Sequence, residues 1–352
     1  MTATVSQDTQ IRTGANSEFL ELRHVVKEFT VTAGAVLPHK IGSIKAVSDV
    51  SFSVGQGETF GLVGESGCGK TTIGRLIVGL EKTTSGEIEF DGTDIAKLRG
   101  AQLRRRRRDL QLMFQDPYAS LNPRMRVGSI IREPLLVQKI GSKAEQQARV
   151  QQLLQEVGLS PKSTDLYPHE FSGGQRQRIG LARALALNPK LIVADEPVSA
   201  LDVSIRSQIL NLMNSLQERH GLTYLVISHD LSVVKYLSDR IGVMYLGKLV
   251  EFAPSSVLYE RPAHPYTQGL IDAIPEPNPT RERSKTAEPI RGELPSALHP
   301  PSGCRFRTRC PRAQEICAEV EPPLVSFGPR HLAACHFPLR TPEPAAAAAA
   351  TA

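Results

Sequence analysis

One eight-residue segment restricts the fold of this 352-residue chain more than any other feature. It runs from Gly64 to Thr71 and has the pattern G-x-x-x-x-G-K-T. The apolar run 59–63 precedes it, and apolar residues follow it at helical spacing from Ile73 to Leu80. A strand, a glycine-rich loop and a helix in this order predict a phosphate-binding site in an α/β fold.

The chemistry of such a loop follows from its backbone. Its N–H groups point inward around phosphates, and the N-terminus of the next helix adds positive potential. We expect Lys70 to contact the β- and γ-phosphates of a nucleotide and Thr71 to ligate Mg²⁺. The thiol of Cys68 is expected to be incidental, because the backbone does the binding. The predicted nucleotide-binding residues here are Gly64, Glu65, Ser66, Gly67, Cys68, Gly69, Lys70, Thr71 and Thr72.

A second segment supplies carboxylates. The apolar run 191–194 is typical of a strand buried on both faces, and Asp195 and Glu196 follow it directly. A carboxylate at the C-terminal end of a central strand lies beside the phosphate loop in this class of fold. We therefore expect Asp195 to hold Mg²⁺ through water and Glu196 to act as the base that orients the attacking water.

The sequence Phe-Ser-Gly-Gly-Gln at 171–175, followed by Gln177 and Arg178, resembles the signature of ABC transporters, with Phe in place of the usual Leu. Other motifs of that family stand around it in the family's order. They are Phe29 at the position of the aromatic residue under adenine, Gln115 in the Q-loop, Asp202 in the D-loop segment 199–202, and His229 as the switch histidine.

This resemblance implies an ABC nucleotide-binding domain of the P-loop NTPase type with a helical subdomain, which hydrolyses ATP. It implies that Ser172, Gly173, Gly174 and Gln175 form a second anion-binding helix start, which faces the phosphates of a partner subunit. It also implies that Gln115 senses Mg²⁺ and water and that His229 holds the γ-phosphate. The predicted catalytic residues are Glu196, His229 and Gln115, and the predicted Mg²⁺ site comprises Thr71, Gln115 and Asp195.

Two further segments resemble one branch of this family. The element His264-Pro265-Tyr266 is similar to the one that opens the C-terminal extension of oligopeptide and dipeptide importers, and segment 115–124 is similar to the second of their two ATPases. The resemblance implies a partner ATPase, two membrane-spanning permease subunits and an external solute-binding protein. It places the chain peripherally on the cytoplasmic face of the cell membrane. A related importer for nickel or another solute remains the alternative.

Composition divides the chain into four predicted parts. Residues 1–17 are polar and expected to be disordered, and residues 18–258 form the ATPase domain. Of the 25 prolines, 16 lie in residues 259–352, so we expect the extension 259–340 to be built from loops. The alanine-rich segment 341–352 is expected to be disordered.

Four of the five cysteines cluster in the proline-rich extension, at Cys304, Cys310, Cys317 and Cys335. In a reducing compartment, clustered thiols are expected to bind a metal rather than form disulfides. Their spacing is wider than in zinc ribbons and differs from that of common ferredoxins. The family resemblance favours a [4Fe–4S] cluster, and Zn²⁺ is the alternative.

Several other functions are disfavoured. The chain has no run of 18 apolar residues and no secretory pattern at its start. A net charge of +6 is too small to predict nucleic-acid binding, and we expect the run Arg104–Arg108 to be a solvated helix. DNA-repair ABC proteins carry long insertions between the loop and the signature, whereas 101 residues separate Lys70 from Ser172 here. Ribosomal members of the family have two ATPase cassettes in one chain, whereas this sequence contains one. Exporter ATPases are often fused to membrane helices, and this sequence predicts none. A redox enzyme is disfavoured because no segment resembles a flavin or nicotinamide site.

Overall fold

The computed structural model describes residues 18–33, 39–115, 120–275, 290 and 292–343. The predicted disordered terminus 1–17 and most of the alanine-rich end therefore lie outside the described residues, as do 116–119 of the Q-loop segment.

The core of the protein is an eight-stranded mixed sheet in the order β11-β12-β10-β9-β3-β8-β7-β6. The five strands from β9 to β6 run parallel, whereas β10, β12 and β11 add on antiparallel. Every residue of β3, β7 and β8 is buried, as their continuous apolar sequences predict. The strands are β3 (Thr59–Val63), β6 (Leu110–Met113), β7 (Leu191–Asp195), β8 (Thr223–Ser228), β9 (Arg240–Tyr245), β10 (Lys248–Pro254), β11 (Leu324–Gly328) and β12 (His331–Ala334).

A second, antiparallel sheet has the order β2-β1-β4-β5. Its strands are β1 (Leu20–Ala33), β2 (His39–Val54), β4 (Ser85–Phe90) and β5 (Thr93–Asp94). Phe52 on β2 stacks on Phe60 of β3, with ring centroids 4.8 Å apart. This contact helps to pack the second sheet against the first.

Ten helices are described, with three short 3₁₀ turns at Ile95–Lys97, Pro161–Asp165 and Pro168–Glu170. None of these helices is long and apolar enough to cross a bilayer. The helices are α1 (Lys70–Ile77), α2 (Gly100–Arg106), α3 (Val127–Gln138), α4 (Lys143–Glu156), α5 (Gly173–Leu185), α6 (Val203–His220), α7 (Leu231–Leu237), α8 (Ser255–Glu260), α9 (Pro265–Asp272) and α10 (Ile316–Glu319).

Helices α3, α4 and α5 pack together as the helical subdomain implied by the sequence. Helix α4 begins at a capping box, in which Ser142 and Glu145 bond each other's backbone N–H groups. The apolar residues Ile130, Leu153 and Ile179 from the three helices join one buried cluster. That cluster also contains Ile192 of β7, so the subdomain and the main sheet share a core.

The helix after the phosphate loop is shorter than its apolar spacing predicts. It ends at Ile77, because Gly79 adopts a left-handed conformation with φ of 68°. Leu80 lies beyond this turn and is 49% exposed, so it belongs to the surface rather than to the helix core.

The arginine run 104–108 is partly exposed, and two of its members also have a structural role. Arg106 donates hydrogen bonds to the carbonyls of Phe90 and Asp91, and Arg107 donates to those of Val78 and Gly79. These arginines therefore satisfy backbone carbonyls where the chain leaves helix α1 and strand β4.

The C-terminal extension contains more regular structure than its prolines predict. Strand β12 pairs with β10 through Glu251↔Ala333 and Phe252↔Leu332 and is followed at the edge by β11. The prolines 322, 323 and 338 flank this hairpin instead of interrupting it. The extension thus completes the ATPase sheet.

A buried carboxylate joins the extension to that sheet. Glu251 on β10 is fully buried, and its carboxylate accepts hydrogen bonds from the backbone N–H groups of Ala263 and His264, at 2.7 and 3.0 Å. The ring Nε2 of His331 on β12 lies 2.7 Å from the same carboxylate. Burial lowers the pKa of the His264 imidazole to about 4, and Glu251 partly opposes this shift. One side chain therefore organises both the start and the end of the extension.

We expect Glu251→Gln to reduce the free energy of unfolding by about 2–4 kcal/mol, because the new amide NH₂ would face N–H groups that need an acceptor. Urea denaturation of the full chain measures this change. Glu260→Gln, an exposed position on α8, is the matched control and should leave the midpoint unaltered. Equal stability of the two variants would contradict the role assigned to Glu251.

Candidate active site

The predicted residues that follow β3, β6, β7 and β8 lie together at the C-terminal ends of the parallel strands of the main sheet. Val63, the last residue of β3, pairs with Ser228 at the end of β8. Asp195, at the end of β7, pairs with Ile227, and Met113 at the end of β6 pairs with Ala194. The loops that follow these strands therefore leave the sheet side by side, in the place where open α/β sheets bind ligands.

The phosphate loop needs its first and last motif glycines for two reasons. Gly64 and Gly69 have φ of 150° and 109°, which other residues rarely adopt. A Cβ at Gly64 would lie 2.2 Å from the carbonyl oxygen of Met244, and one at Gly69 would lie 2.1 Å from that of Ala46. Both ends of the loop therefore pack closely against neighbouring backbone, whereas Ser66 and Gly67 at its tip are exposed.

Lys70 begins helix α1 and is buried beneath the loop. Its ammonium group donates to the carbonyls of Gly64 and Glu65, at 2.6 and 2.9 Å. It also lies 3.6 Å from the sulfur of Cys68, whose pKa is raised by burial. These bonds hold the positive charge inside the loop, where a bound phosphate would meet it.

Thr71 and Asp195 come together as a Mg²⁺ site requires. The Thr71 hydroxyl, in the first turn of α1, donates to the Asp195 carboxylate at the end of β7, at 3.1 Å. Burial raises the pKa of Asp195, and the nearby Glu196 raises it further, whereas the Thr71 hydroxyl lowers it. A hydroxyl and a buried carboxylate are hard oxygen ligands, which suit Mg²⁺, and its charge would offset the cost of burying Asp195.

Glu196 and His229 form a second pair next to the first. One carboxylate oxygen of Glu196 accepts the backbone N–H of His229 at 3.0 Å and lies 2.8 Å from its ring Nδ1. Glu196 is buried, and its φ of 50° is unusual for a residue with a side chain. Strain of this kind is concentrated at functional sites. The His229 ring is mostly exposed, so its other nitrogen is free to meet a ligand.

The signature residues lie at the start of a helix, as predicted. Ser172 is the N-cap of α5 and forms a capping box with Gln175. Gly174 is needed for packing, because a Cβ there would lie 2.4 Å from Ile205 on α6. Within the described residues, the hydrogen bonds of Ser172 stay inside its own helix start and none reaches the phosphate loop.

The remaining predicted residues lie at the surface. Asp202 precedes α6 and Gln115 follows β6, and both side chains are exposed. Phe29 on β1 is also exposed, with the Lys27 ammonium 4.6 Å from its ring centroid. Gln177, which the sequence placed only in the signature, donates to the carbonyl of Pro197 at 2.5 Å. This bond links the signature helix to the segment after Glu196.

Sequence analysis did not predict two residues that contact the phosphate loop. Tyr266 and Arg309, both in the C-terminal extension, bind the backbone and side chain of Glu65. Tyr266 lies in the family-like element 264–266, but nothing in that element reveals a contact about 200 residues away. Arg309 carries no sequence signal at all.

The four cysteines of the extension were predicted to be metal ligands. Across the residues that the structure describes, no group of three or more His, Cys, Asp or Glu side chains is placed to hold a metal ion. The thiols are free, and burial raises the pKa of Cys335 to about 12. The three other cysteines raise this pKa further, so the four thiols lie within electrostatic range of one another.

Comparison with known proteins agrees with this geometry. Residues 47–199 match the ABC transporter family, and residues 250–317 match the C-terminal region of oligopeptide/dipeptide transporters. The chain is 53% identical over 330 residues to the oligopeptide transport ATP-binding protein AppF of Bacillus subtilis, covering 92% of this chain and 99% of the relative. It is 50% identical to OppF of Haemophilus influenzae, covering 90% of this chain and 96% of the relative.

Solved structures show the same fold. The ATP-binding cassette MJ0796, in a dimeric structure bound to ADP and phosphate, superposes with a TM-score of 0.59 at 30% identity, covering 67% of this chain and 98% of that one. The site geometry, the family matches and the identity to AppF over nearly the whole chain lead to one conclusion: this protein is an ABC ATPase and belongs to the ATP-binding subunits of the ABC transporter family that carry the oligopeptide/dipeptide transporter C-terminal region.

Proposed function

We propose that this chain hydrolyses ATP to energise the uptake of di- or oligopeptides through a membrane complex. The observation that carries the proposal is the meeting of Lys70, the Thr71–Asp195 pair and the Glu196–His229 pair at one sheet edge. The names of relatives that match almost the whole chain support the peptide substrate. A related importer for nickel or another solute is the alternative.

Each pair has a distinct role in this proposal. The phosphate loop and Lys70 bind the β- and γ-phosphates of ATP, and Thr71 and Asp195, with Gln115, hold Mg²⁺. That ion neutralises charge on the phosphates when it is bound. Glu196 accepts the proton of the attacking water, and His229, held by Glu196, contacts the γ-phosphate. Phe29 packs against adenine from its exposed position on β1.

The signature and the D-loop serve a partner subunit in this scheme. Ser172 and Asp202 are exposed, and the chain segments that carry them lie side by side, with Gly173 next to the Leu201 side chain and Gly174 next to the Ile205 side chain. The N-terminus of the 13-residue helix α5 offers free N–H groups to an anion. ATP would then lie between two ATPase subunits, as two copies of MJ0796 form a dimer. Two permease subunits and an external solute-binding protein would complete the complex, with this chain at the cytoplasmic face of the membrane.

We expect Glu196→Gln to abolish hydrolysis in the assembled complex while ATP binding persists, because the amide cannot take the proton from water. A loss of at least about 100-fold in the turnover rate is expected. The measurements are phosphate release, ATP affinity and uptake of a labelled tripeptide by cells that carry the complex. Retained hydrolysis in the variant would contradict the role of Glu196. Nickel uptake in place of tripeptide uptake by the unmodified complex would favour the alternative substrate.

We expect the isolated chain to hydrolyse ATP slowly, since Ser172 completes a partner's site and not its own. Ser172→Arg should stop hydrolysis in the complex but leave the ATP affinity of the isolated chain unchanged, because the substitution lies outside the phosphate loop. Equilibrium binding to the chain and phosphate release by the complex separate the two effects. Full activity of the isolated chain would contradict the composite site.

For the extension, we propose that the four cysteines bind a [4Fe–4S] cluster, with Zn²⁺ as the alternative. Support comes from the clustering of four cysteines between positions 304 and 335 of the extension. Burial raises the pKa of the Cys304 thiol, and backbone hydrogen bonds from Phe306 and Arg307 partly oppose this shift.

We expect iron and acid-labile sulfide in near-equal amounts in the anaerobically purified chain, and their loss in Cys304→Ser. Elemental analysis and sulfide determination test this. Zinc without sulfide would support the alternative ligand. Absence of both metals would remove the metal proposal, and the ATPase assignment would stand, since Cys304 is outside the ATP site. Cys68→Ser, in the phosphate loop, is the control that should keep the metal.

A further inference from the structure

The C-terminal extension holds one residue of the phosphate loop from two sides. The backbone N–H of Glu65 donates to the hydroxyl of Tyr266 at 2.9 Å. The carboxylate of Glu65 accepts two hydrogen bonds from the guanidinium of Arg309, at 2.7 and 3.0 Å. Glu65 follows the first motif glycine, so both contacts act where the loop leaves strand β3.

These contacts come from a rigid part of the extension. Tyr266 is fully buried, and the Arg309 side chain is 8% exposed. Tyr245, Tyr266 and Phe306 pack edge to face or tilted, with ring centroids 4.8 to 5.3 Å apart. Because Tyr245 is the last residue of β9, this aromatic cluster joins the extension to the main sheet. The groups that hold Glu65 therefore have little freedom to move.

The charge of Glu65 gives the contact a consequence for ATP. A carboxylate in a loop that binds polyphosphate repels its ligand, unless a cation neutralises the carboxylate. Arg309 does so in a two-bond geometry that also fixes the direction of the carboxylate. The carbonyl of Glu65, in turn, accepts a hydrogen bond from Lys70 at 2.9 Å. A shift of Glu65 would therefore move one of the carbonyl groups that position Lys70, the residue proposed to contact the phosphates.

We propose that Arg309 is a positioning residue for ATP binding, which holds and neutralises Glu65 so that the phosphate loop keeps its binding form. The C-terminal extension then contributes to ATP affinity, although it contributes no group to the phosphate cradle itself. Tyr266 supports the same residue through its backbone. This inference rests on the proposed ATP-binding role of the loop.

The test compares the ATP dissociation constants of full-length variants, measured by titration with ATP and Mg²⁺. We expect Arg309→Gln to weaken ATP binding about five- to tenfold. Arg307→Gln is the matched control, because it makes the same change of charge two residues away. In the described part of the chain, the Arg307 side chain bonds only Ser302 of the same extension. Arg307→Gln should bind ATP as the unmodified chain does.

A second substitution separates the electrostatic role from simple loss of structure. Adding Glu65→Gln to Arg309→Gln removes the unpaired carboxylate and should return the dissociation constant to within about threefold of the original. An extension that had merely unfolded would not be repaired by this change. If the double variant binds ATP no better than Arg309→Gln, the neutralising role is wrong.

Tyr266→Phe provides a variant that keeps the aromatic packing and removes only the hydroxyl. We expect a weakening of ATP binding of about two- to threefold, because the Glu65 N–H loses its partner. The proposal is overturned if Arg309→Gln and Tyr266→Phe both bind ATP as tightly as the unmodified chain does while Lys70→Ala loses binding. If Lys70→Ala binds ATP as the unmodified chain does, the proposed function itself fails.

Discussion

The parallel pairing of β3 with β8 and of β8 with β7 is the constraint on which the rest of the structure depends. It sets Val63 beside Ser228 and Asp195 beside Ile227, so that three loops with different chemistry leave the sheet together. A shift of one residue in either pairing would turn every side chain of the strand to the opposite face. All three strands are buried along their whole length, so such a shift would force the side chains on both faces of the sheet to repack.

The extension supplies two strands of the ATPase sheet. Its hairpin, β12 and β11, continues the sheet beyond β10. The buried Glu251 on β10 bonds Ala263 at the start of the extension and His331 near its end. A boundary drawn near residue 258 from composition therefore separates segments that share backbone hydrogen bonds. Such shared bonds couple the stability of the two parts, so that the extension can affect the phosphate loop without touching the nucleotide.

Proline density and cysteine clustering had different outcomes in the structure. Proline density predicted a loop-built extension, but prolines also fit at the ends of edge strands, and there they flank β11 and β12. Cysteine clustering predicted a metal site, and this stays a prediction, because no group of ligands among the described side chains is placed to hold an ion. Amino-acid composition indicates where helices and strands are disfavoured, but contacts with residues distant in the sequence determine which of them form.

Local chemistry alone determined the phosphate loop, the strand before it, the carboxylates after β7 and the capped helix at Ser172. Each depends on residues close together in the chain, where backbone conformation and periodicity leave few choices. Only the tertiary structure decided that Glu196 meets His229, that Gly174 meets Ile205 and that Arg309 meets Glu65. These contacts join residues 31 to 244 positions apart, and packing of the whole sheet, rather than local preference, brings them together.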